Sequence, residues 1–596
     1  MKHPRVLGVL LLALAGAWPS AADAAAVPVG ASDVYVQGKQ VIVRKRQADG
    51  SLGEPRAYAA KGVAWAPATR APAAGPNPLN PSQSVPYGFF FDWPGRIPQG
   101  HDVLRFWQQE AFKTHYPEDL ALMETLHANT IRVYDEINSD PAVTRQVLDE
   151  CYRRGIMVIM TVATSRTDLQ AGRHLLVVNR YKDHPAILLW ALGNEWNLNR
   201  YYDGWTMSQA IDATRVAAAA MKQQDPSHPV SGSLGDRFSG VPPACDPQDP
   251  CCQPPPADYA QTAIPFIVQA APEVDLWGIN VYRGASFGNL FAQWQAAAPK
   301  TPMYLSEFGT DALKTATFQA VNCGQADNVT GNQDQAAQSG VVTGLWQEIV
   351  PHLSAVNSQQ PVLGGFVFGF NDQLWKVGSF HAGLGGLVDY DGPDNLPDTA
   401  DDDTSYDEAN PEGFAAFSGM DPVLNEEYFG LVNADRVPRQ VFGALQQHYL
   451  SLLNAVLNPG FEAGTANWSF PANGSVVTTG AASGTRSARL VNAGTITSTP
   501  QVAVTSGKHV ISGWVKTQGM TGSGSSGARI RVQWYASSGA LLASQNVVSA
   551  LRGTTGWTRH ESTLAAPSGT ATARLQLEIA GNSSGTAWFD ALSLSP

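Results

Sequence analysis

The chain has 596 residues, room for roughly three to four domains of about 150 residues each, which excludes a single small binding module. Hydrophobic residues make up 44% against 15% charged, enough to build real cores and exclude wholesale disorder, while 56 Gly and 40 Pro mark a loop-rich protein. The 39 Lys and Arg against 51 Asp and Glu leave a net charge of −12, which repels a polyanion, so nucleic acid is not an expected partner.

At the start of the chain Lys2 and Arg5 precede the apolar run Val6 to Trp18, and Ala22-Asp-Ala24 or Ala24-Ala-Ala26 suits a signal peptidase. Residues 1–26 are therefore expected to be an export signal, with the mature protein secreted or periplasmic. No later stretch reaches about 18 uninterrupted apolar residues, so no membrane anchor is expected after cleavage. Val34-Tyr-Val-Gln-Gly-Lys-Gln-Val-Ile-Val43 places two β runs around Gly38-Lys39, and residues 27–56 are read as a hairpin segment closing the bottom of the domain that begins at residue 57.

Between 57 and 453 short apolar runs alternate with helical patterns. Expected strands are Gly62–Trp65, Thr130–Tyr134, Ile156–Val162, Ile187–Leu192, Val230–Leu234, Leu276–Val281, Met303–Ser306 and Gly365–Gly369. Stretches with 3.6-residue periodicity run from Glu118 to Ala128, Ala142 to Arg154, Met207 to Gln224 and Gln335 to Leu353. Nearly continuous apolar strands separated by helices mean a parallel sheet buried on both faces, and eight repeats close a (β/α)8 TIM barrel. An open doubly wound sheet is the alternative, but no Gly-x-Gly-x-x-Gly turn follows an early strand. From Asn458 the texture turns to Thr, Ser, Gly and Ala with period-two runs such as Arg529–Tyr535 and Ala573–Ile579, which predicts an antiparallel β-sandwich over 456–596. The fold class is thus multidomain, a TIM barrel followed by a jelly-roll sandwich.

Of the five Cys, Cys151 sits in a helical pattern and is expected to be a buried free thiol. Cys245, Cys251, Cys252 and Cys323 lie in loop-like sequence and are expected to form one or two disulfides in an oxidising compartment.

Chemistry in such barrels sits at the C-terminal ends of the strands. The fourth strand ends in Leu192-Gly-Asn-Glu-Trp196 and the seventh in Leu305-Ser-Glu-Phe-Gly309, so Glu195 and Glu307 are expected to face one cleft. Two carboxyls of that kind suit glycosidic cleavage: one protonates the leaving oxygen, the other attacks or stabilises the oxocarbenium-like centre. These motifs, with Asn129-Thr-Ile-Arg-Val-Tyr134 and Gly278-Ile-Asn-Val-Tyr282, resemble the clan A retaining β-glycosidases with (β/α)8 barrels, families 2, 5 and 72 among them.

The resemblance covers about residues 57 to 450 and implies Glu195 as acid/base, Glu307 as nucleophile and Asn194 on the sugar 2-hydroxyl. It also implies Arg132 holding the nucleophile ionised, Tyr282 hydrogen-bonding it and Trp375 stacked under the sugar. Double displacement is the implied mechanism, with a carboxyl separation of about 5–5.5 Å. No cofactor is expected for catalysis, and the expected partner is a β-linked polysaccharide or oligosaccharide. A β-glucan transglycosylase using the same residues and an inactive polysaccharide-binding protein are the alternatives.

Tyr87-Gly-Phe-Phe-Phe-Asp-Trp93 is expected on the catalytic face, as sugar subsites or loop packing. Residues 389–408 hold a run of acids with no Lys or Arg, read as a calcium loop or a solvated acidic loop. Glu426 and Glu427 resemble the closing segment of family 2 barrels and are read as structural. Asn458-Pro-Gly-Phe-Glu462 and Trp588-Phe-Asp-Ala-Leu-Ser-Leu594 resemble the brackets of family 4/9 carbohydrate-binding modules, which implies a structural calcium held by Glu462 and Asp590. Trp468, Trp514, Trp534, Tyr535 and Trp557 are the candidate sugar-stacking or core residues there.

Overall fold

The computed structural model describes residues 27–67, 74–77, 80–86, 100–198, 204–242, 255–321, 325–373, 408–409, 423–424, 428–504 and 506–595. The export signal, the 87–93 aromatic run, Cys245, Cys251, Cys252, Cys323, Trp375, Glu426, Glu427 and all but Glu408 of the acidic run lie outside the described residues.

The chain begins with an antiparallel sheet of β1 (Asp33–Gln37), β2 (Gln40–Arg44) and β3 (Arg56–Ala57), one strand more than the expected hairpin. It caps the barrel's lower end: Val34, Val41 and Val43 pack with Ala60, Met157, Leu188 and Leu276, and the Val34 N–H donates to the Ser227 carbonyl at 2.9 Å. A ribbon of β5 (Ala74–Asn77) and β6 (Asn80–Pro86) follows β4 (Ala60–Ala64).

The barrel is closed and parallel: β4, β7 (Thr130–Val133), β8 (Met157–Ala163), β9 (Ile187–Leu192), β10 (Val230–Gly235), β11 (Leu276–Asn280), β12 (Met303–Phe308) and β15 (Val362–Val367), which returns to β4. Every expected strand overlaps one of these. Strands β8, β9 and β10 are buried at every position, as helices on one face and a filled lumen on the other require. Inside, side chains fill the lumen closely enough that a Cβ on Gly278 would lie 2.6 Å from Cζ of Tyr304.

The helices α1 (Gly100–Thr125), α2 (Pro141–Arg153), α3 (Arg166–Gln170), α4 (Arg173–Tyr181), α5 (Met207–Gln224), α6 (Ile264–Ala270), α7 (Leu290–Ala297), α8 (Gln335–Ile349) and α9 (Gln440–Ser451) surround it. Their starts are legible: Asp140 caps α2 by accepting the Ala142 N–H at 2.9 Å with Pro141 at the first helical position, and Thr206 and Gln209 cap α5 reciprocally. Helix α2 buries Thr144, Val147, Leu148 and Cys151, one face at helical spacing, and Cys151 is a buried free thiol as expected. Between β12 and α8 the chain forms a ribbon, β13 (Leu313–Val321) with β14 (Gln325–Gln333), that the sequence reading did not anticipate; β16 (Glu408–Ala409) pairs with β17 (Val423–Leu424).

The C-terminal region is a two-sheet antiparallel sandwich with its own core, including Leu490, Ile511, Val532, Trp534, Leu577 and Phe589. One sheet runs in the order β19 (Gly474–Val477), β20 (Ser487–Val491), β28 (Thr586–Ser595), β23 (Gly507–Met520), β26 (Gly553–Ala566). The other runs β18 (Trp468–Ser469), β21 (Gly494–Ser498), β27 (Thr570–Ile579), β24 (Ala528–Ala536), β25 (Leu541–Leu551), with β22 (Val502–Ala503) on β27. Contacts to the barrel come from the first sheet and the loop before β20. Gly484 N–H donates to Gln446 Oε1 at 2.8 Å, His127 Nε2 and Ser483 Oγ are 3.2 Å apart, Arg56 donates to the Lys508 carbonyl at 3.1 Å, and Lys508 pairs with Glu54. Among the described residues no hydrogen bond or ion pair joins the second sheet to the barrel, and the outward side chains of β24 and β27 are partly exposed. No described helix is long and apolar enough to cross a membrane.

Candidate active site

Glu307 ends β12 at the barrel's C-terminal mouth and is 6% exposed. Its Oε1 accepts from Arg132 Nη1 at 2.8 Å and from the Tyr134 hydroxyl at 2.7 Å, and its Oε2 accepts from the Tyr282 hydroxyl at 2.9 Å. Arg132 and Tyr134 are two residues apart along β7 and its exit, so strand alternation puts both on the lumen side. Arg132 is wholly buried, and its Cζ lies 4.4 Å from the centroid of the Tyr134 ring. Burial opposes the guanidinium charge, but the neighbouring Tyr134 and Glu307 outweigh it and raise the Arg132 pKa. Burial and then the Glu307 charge push the Tyr134 hydroxyl well above the ordinary tyrosine range, so it stays a proton donor. Phe368 packs edge-on to both tyrosines, at 6.4 Å from Tyr134 and 6.3 Å from Tyr282, and fixes the two rings.

Glu195 follows β9 in a left-handed conformation, φ 49°, rare for a residue with a Cβ. Its N–H donates to the Ser233 carbonyl at 3.0 Å and its carbonyl accepts from Leu198 N–H at 2.8 Å, contacts that hold the turn in place. An observed backbone outlier at a strand end is the kind of strain that functional sites store.

Asn280 joins the two carboxylates. Its Nδ2 donates to Glu195 Oε1 at 2.9 Å and to Asn194 Oδ1 at 3.2 Å, while its Oδ1 accepts from the Ser306 hydroxyl at 2.6 Å and from Arg132 Nη1 at 3.5 Å. Arg132 Nη2 also donates to Asn194 Oδ1 at 2.6 Å. Asn194 therefore has its oxygen doubly occupied and its amide N–H2 left for a ligand.

Of the residues expected here, Glu195, Glu307, Asn194, Arg132 and Tyr282 come together; Trp375 lies outside the described residues. Three further members of the cluster were missed by sequence reasoning: Tyr134, Asn280 and Ser306. Tyr134 and Asn280 each stand two positions from a residue that was found, Arg132 and Tyr282, so the period-two signal was there to use. Ser306 precedes Glu307, and its hydroxyl contact had no sequence signature.

In the sandwich, Glu462 Oε1 accepts the N–H groups of Thr485 at 2.8 Å and Arg486 at 3.0 Å, and Oε2 accepts the Thr485 hydroxyl at 2.7 Å. Asp590, buried, accepts the N–H groups of Ala482 and Ser483, both at 2.9 Å, on Oδ2 and that of Ala591 at 2.7 Å on Oδ1. Both carboxylates thus pin the loop before β20. Burial, and further the negative charge of Glu462, push the Asp590 acid well above the ordinary range. Among the described residues no group of three or more His, Cys, Asp or Glu is gathered as a metal cluster. Of the candidate stacking residues, Trp468 and Trp534 are core, because their strand positions point between the sheets. Trp514 and Trp557 take outward positions on the barrel-side sheet, and Tyr535 takes an outward position on the solvent-facing one.

Residues 88–249, which include Arg132, Asn194 and Glu195, match the family model "Glycosyl hydrolases family 2, TIM barrel domain". No curated protein matches the chain. Among solved structures, a Bacteroides uniformis beta-glucuronidase 2 covalently bound to cyclophellitol-6-carboxylate aziridine is 12% identical with a TM-score of 0.36, covering 92% of this chain and 70% of that one. A Bifidobacterium dentium beta-glucuronidase complexed with coumarin-3-O-glucuronide is 18% identical with a TM-score of 0.34, covering 70% of this chain and 49% of that one, so the matched part is about half of that protein. A Family 16 Carbohydrate Binding Module-2 is 17% identical with a TM-score of 0.20, covering 24% of this chain and 100% of that one. With the family match across the segment that carries Arg132 and Glu195, the barrel is a glycoside hydrolase domain.

Proposed function

We propose that the chain is an exported retaining glycoside hydrolase that cleaves β-linked polysaccharides or oligosaccharides by double displacement. The observation that carries this reading is the treatment of Glu307, a nearly buried carboxylate receiving three donors, one of them a guanidinium. Such a carboxylate is held in one orientation beside a cation, as a nucleophile must be. Two donors converge on Oε1 and one on Oε2, so Oε2 is the oxygen proposed to attack.

In the first step Glu307 Oε2 forms a bond to the anomeric carbon as the glycosidic C–O bond breaks, and Glu195 gives its proton to the departing oxygen. In the second, water attacks the same carbon, Glu195 takes the water proton and the ester to Glu307 breaks. The Asn280 N–H on Glu195 Oε1 favours the acidic proton on the other oxygen, since a carboxyl oxygen accepting an N–H is the carbonyl one. Export is supported by the basic, then apolar, then small-residue order of residues 1–26.

The sandwich is proposed as a carbohydrate-binding module that raises the local concentration of the barrel on a polymer. A structural calcium at Glu462 and Asp590 belongs to the same reading. A buried carboxylate with no Lys, Arg or His pairing among the described residues, beside a second carboxylate, suits a hard divalent ion that would neutralise both.

The test is a panel of β-glucans, mannans, xylans and galactans with products followed by NMR. The proposal expects the β-anomer to be released first, loss of turnover in Glu307→Gln, and a β-glycosyl azide from Glu195→Ala supplied with azide. Release of the α-anomer first, or turnover by Glu307→Gln, would refute it. Products longer than the starting oligosaccharide would assign transglycosylation to the same residues, and binding without any cleavage would assign a non-catalytic role.

A further inference from the structure

The sheet that faces solvent carries a charge pattern opposite to that of the whole chain. Alternation along β24 and β27 points Arg529, Arg531, Gln533 and Tyr535 outward, together with Thr572, Arg574, Gln576 and Glu578. Across the described strands of this sheet Arg529, Arg531, Arg574 and Glu578 are the charged residues, three guanidiniums against one carboxylate on a chain of net charge −12. Glu578 is shared by Arg529, at 2.6 Å, and Arg531, at 3.3 Å. Arg574 has no acid beside it among the described residues; its guanidinium carbon lies 5.9 Å from the centroid of the Tyr535 ring.

Arg531 is held in place by its neighbours, Nη1 on Glu578 at 3.3 Å and Nη2 donating to Ser544 Oγ at 2.7 Å, and each terminal nitrogen keeps a second hydrogen for a ligand. The Nε groups of Arg531 and Arg574 are buried, so their terminal nitrogens are the donors that a ligand on this face can meet. In register Arg531 stands opposite Gln576 and Gln533 opposite Arg574, so the two arginines are diagonal neighbours across one strand pair. Diagonal Cβ atoms lie roughly 7–8 Å apart, a gap that two guanidinium arms close around a single planar anion.

We propose that this face binds a glycan bearing carboxylates, a chain of β-linked uronic acid residues, with one carboxylate seated between Arg531 and Arg574. The proposal rests on the reading of the sandwich as a glycan-binding module and names its ligand class. The guanidinium fork matches a planar carboxylate in two parallel hydrogen bonds. The amides of Gln533 and Gln576 on either side suit sugar hydroxyls, and Tyr535 supplies the aromatic face on which a pyranose ring stacks.

Affinity electrophoresis of the full chain, in the Glu307→Gln background so that no polymer is cut, tests it. The probes are polymannuronate, the same polymer with its carboxyls reduced to alcohols, and dextran sulfate. Retardation by polymannuronate is expected, falling steeply with salt, at least tenfold weaker in Arg531→Gln/Arg574→Gln and partly recovered by Arg574→Lys. Thermal melting of each variant shows that the sandwich is folded. Equal retardation by the carboxyl-reduced polymer, retardation by dextran sulfate alone, no retardation at all, or an unchanged double variant would overturn the proposal. Retardation by the carboxyl-reduced polymer but not by polymannuronate would refute the ligand class and leave the glycan-binding reading of the sandwich standing, whereas no retardation by either polymer would refute both, so the two failures are distinguishable.

Discussion

Replacing Tyr134 by Phe removes one oxygen from the site and little else. The ring keeps its place over Arg132 and against Phe368, while Glu307 Oε1 loses a 2.7 Å donor and keeps Arg132. A hydrogen bond to a charged group contributes about 1.5–3 kcal/mol. That donor fixes the carboxylate in the orientation the proposed attack needs, so its loss should lower kcat/KM by about 10- to 100-fold, at roughly 1.4 kcal/mol per tenfold. The assay is initial rates on the best polymer of the panel, with a melting curve for each protein. An unchanged kcat/KM would refute the role of this hydroxyl, and a loss matched by a fall in melting temperature would assign Tyr134 to structure instead.

The remaining predictions concern the rest of the site and the contacts around it. Glu307→Gln should abolish turnover and keep the circular dichroism spectrum, but should melt lower, since a wholly buried Arg132 loses its ion partner. Asn280→Asp removes the N–H from Glu195 Oε1 and sets a carboxylate against it, which should lower kcat about tenfold; an unchanged kcat would sever Asn280 from the acid/base. Lys61, half-buried on the Tyr449 carbonyl at the junction with the sandwich, is lowered to about 7 from an ordinary value of 10.5, by burial first and then by the charges of Arg559 and Lys45. Across that window the unfolded chain holds a proton that the folded one lacks, so stability rises with pH. The melting-temperature advantage of Lys61→Met over wild type should consequently shrink from pH 6 to pH 9, and a constant difference would contradict the assignment. Calcium should raise the melting temperature, chelation should reverse the rise, and Asp590→Asn should remove the response.

The barrel was legible because strands such as Met157–Ala163 and Ile187–Leu192 are apolar almost throughout, and full burial on two faces leaves that trace in a sequence. Residues Ile187–Leu192 matched to the residue. The ribbon Leu313–Val321 with Gln325–Gln333 was not legible, since its Thr, Gln and Asn content reads as loop and its pairing is with itself. At the site, Glu195 and Glu307 are legible from their positions at strand ends, whereas Tyr134 is not, because a tyrosine at a strand exit reads equally as packing. The sandwich aromatics were illegible for a different reason. Period two says that Trp534 and Tyr535 face opposite ways but not which of them faces the core, and that is decided by the partner sheet.

Arg132 is the residue through which the cluster becomes a unit. It donates to Glu307 and to Asn194, approaches Asn280 and also reaches the Ser306 carbonyl at 3.1 Å. Asn280 in turn touches Glu195, so the proposed acid and the proposed nucleophile are held by one guanidinium and one amide rather than by separate supports. Substitutions within such a unit do not add. Loss of Arg132 should misplace both carboxylates together, and adding Asn280→Ala to Arg132→Lys should then cost much less than the two single effects combined. Independent supports would give the full sum, and a cycle that adds would show that the two carboxylates are positioned separately despite the hydrogen bonds between their neighbours.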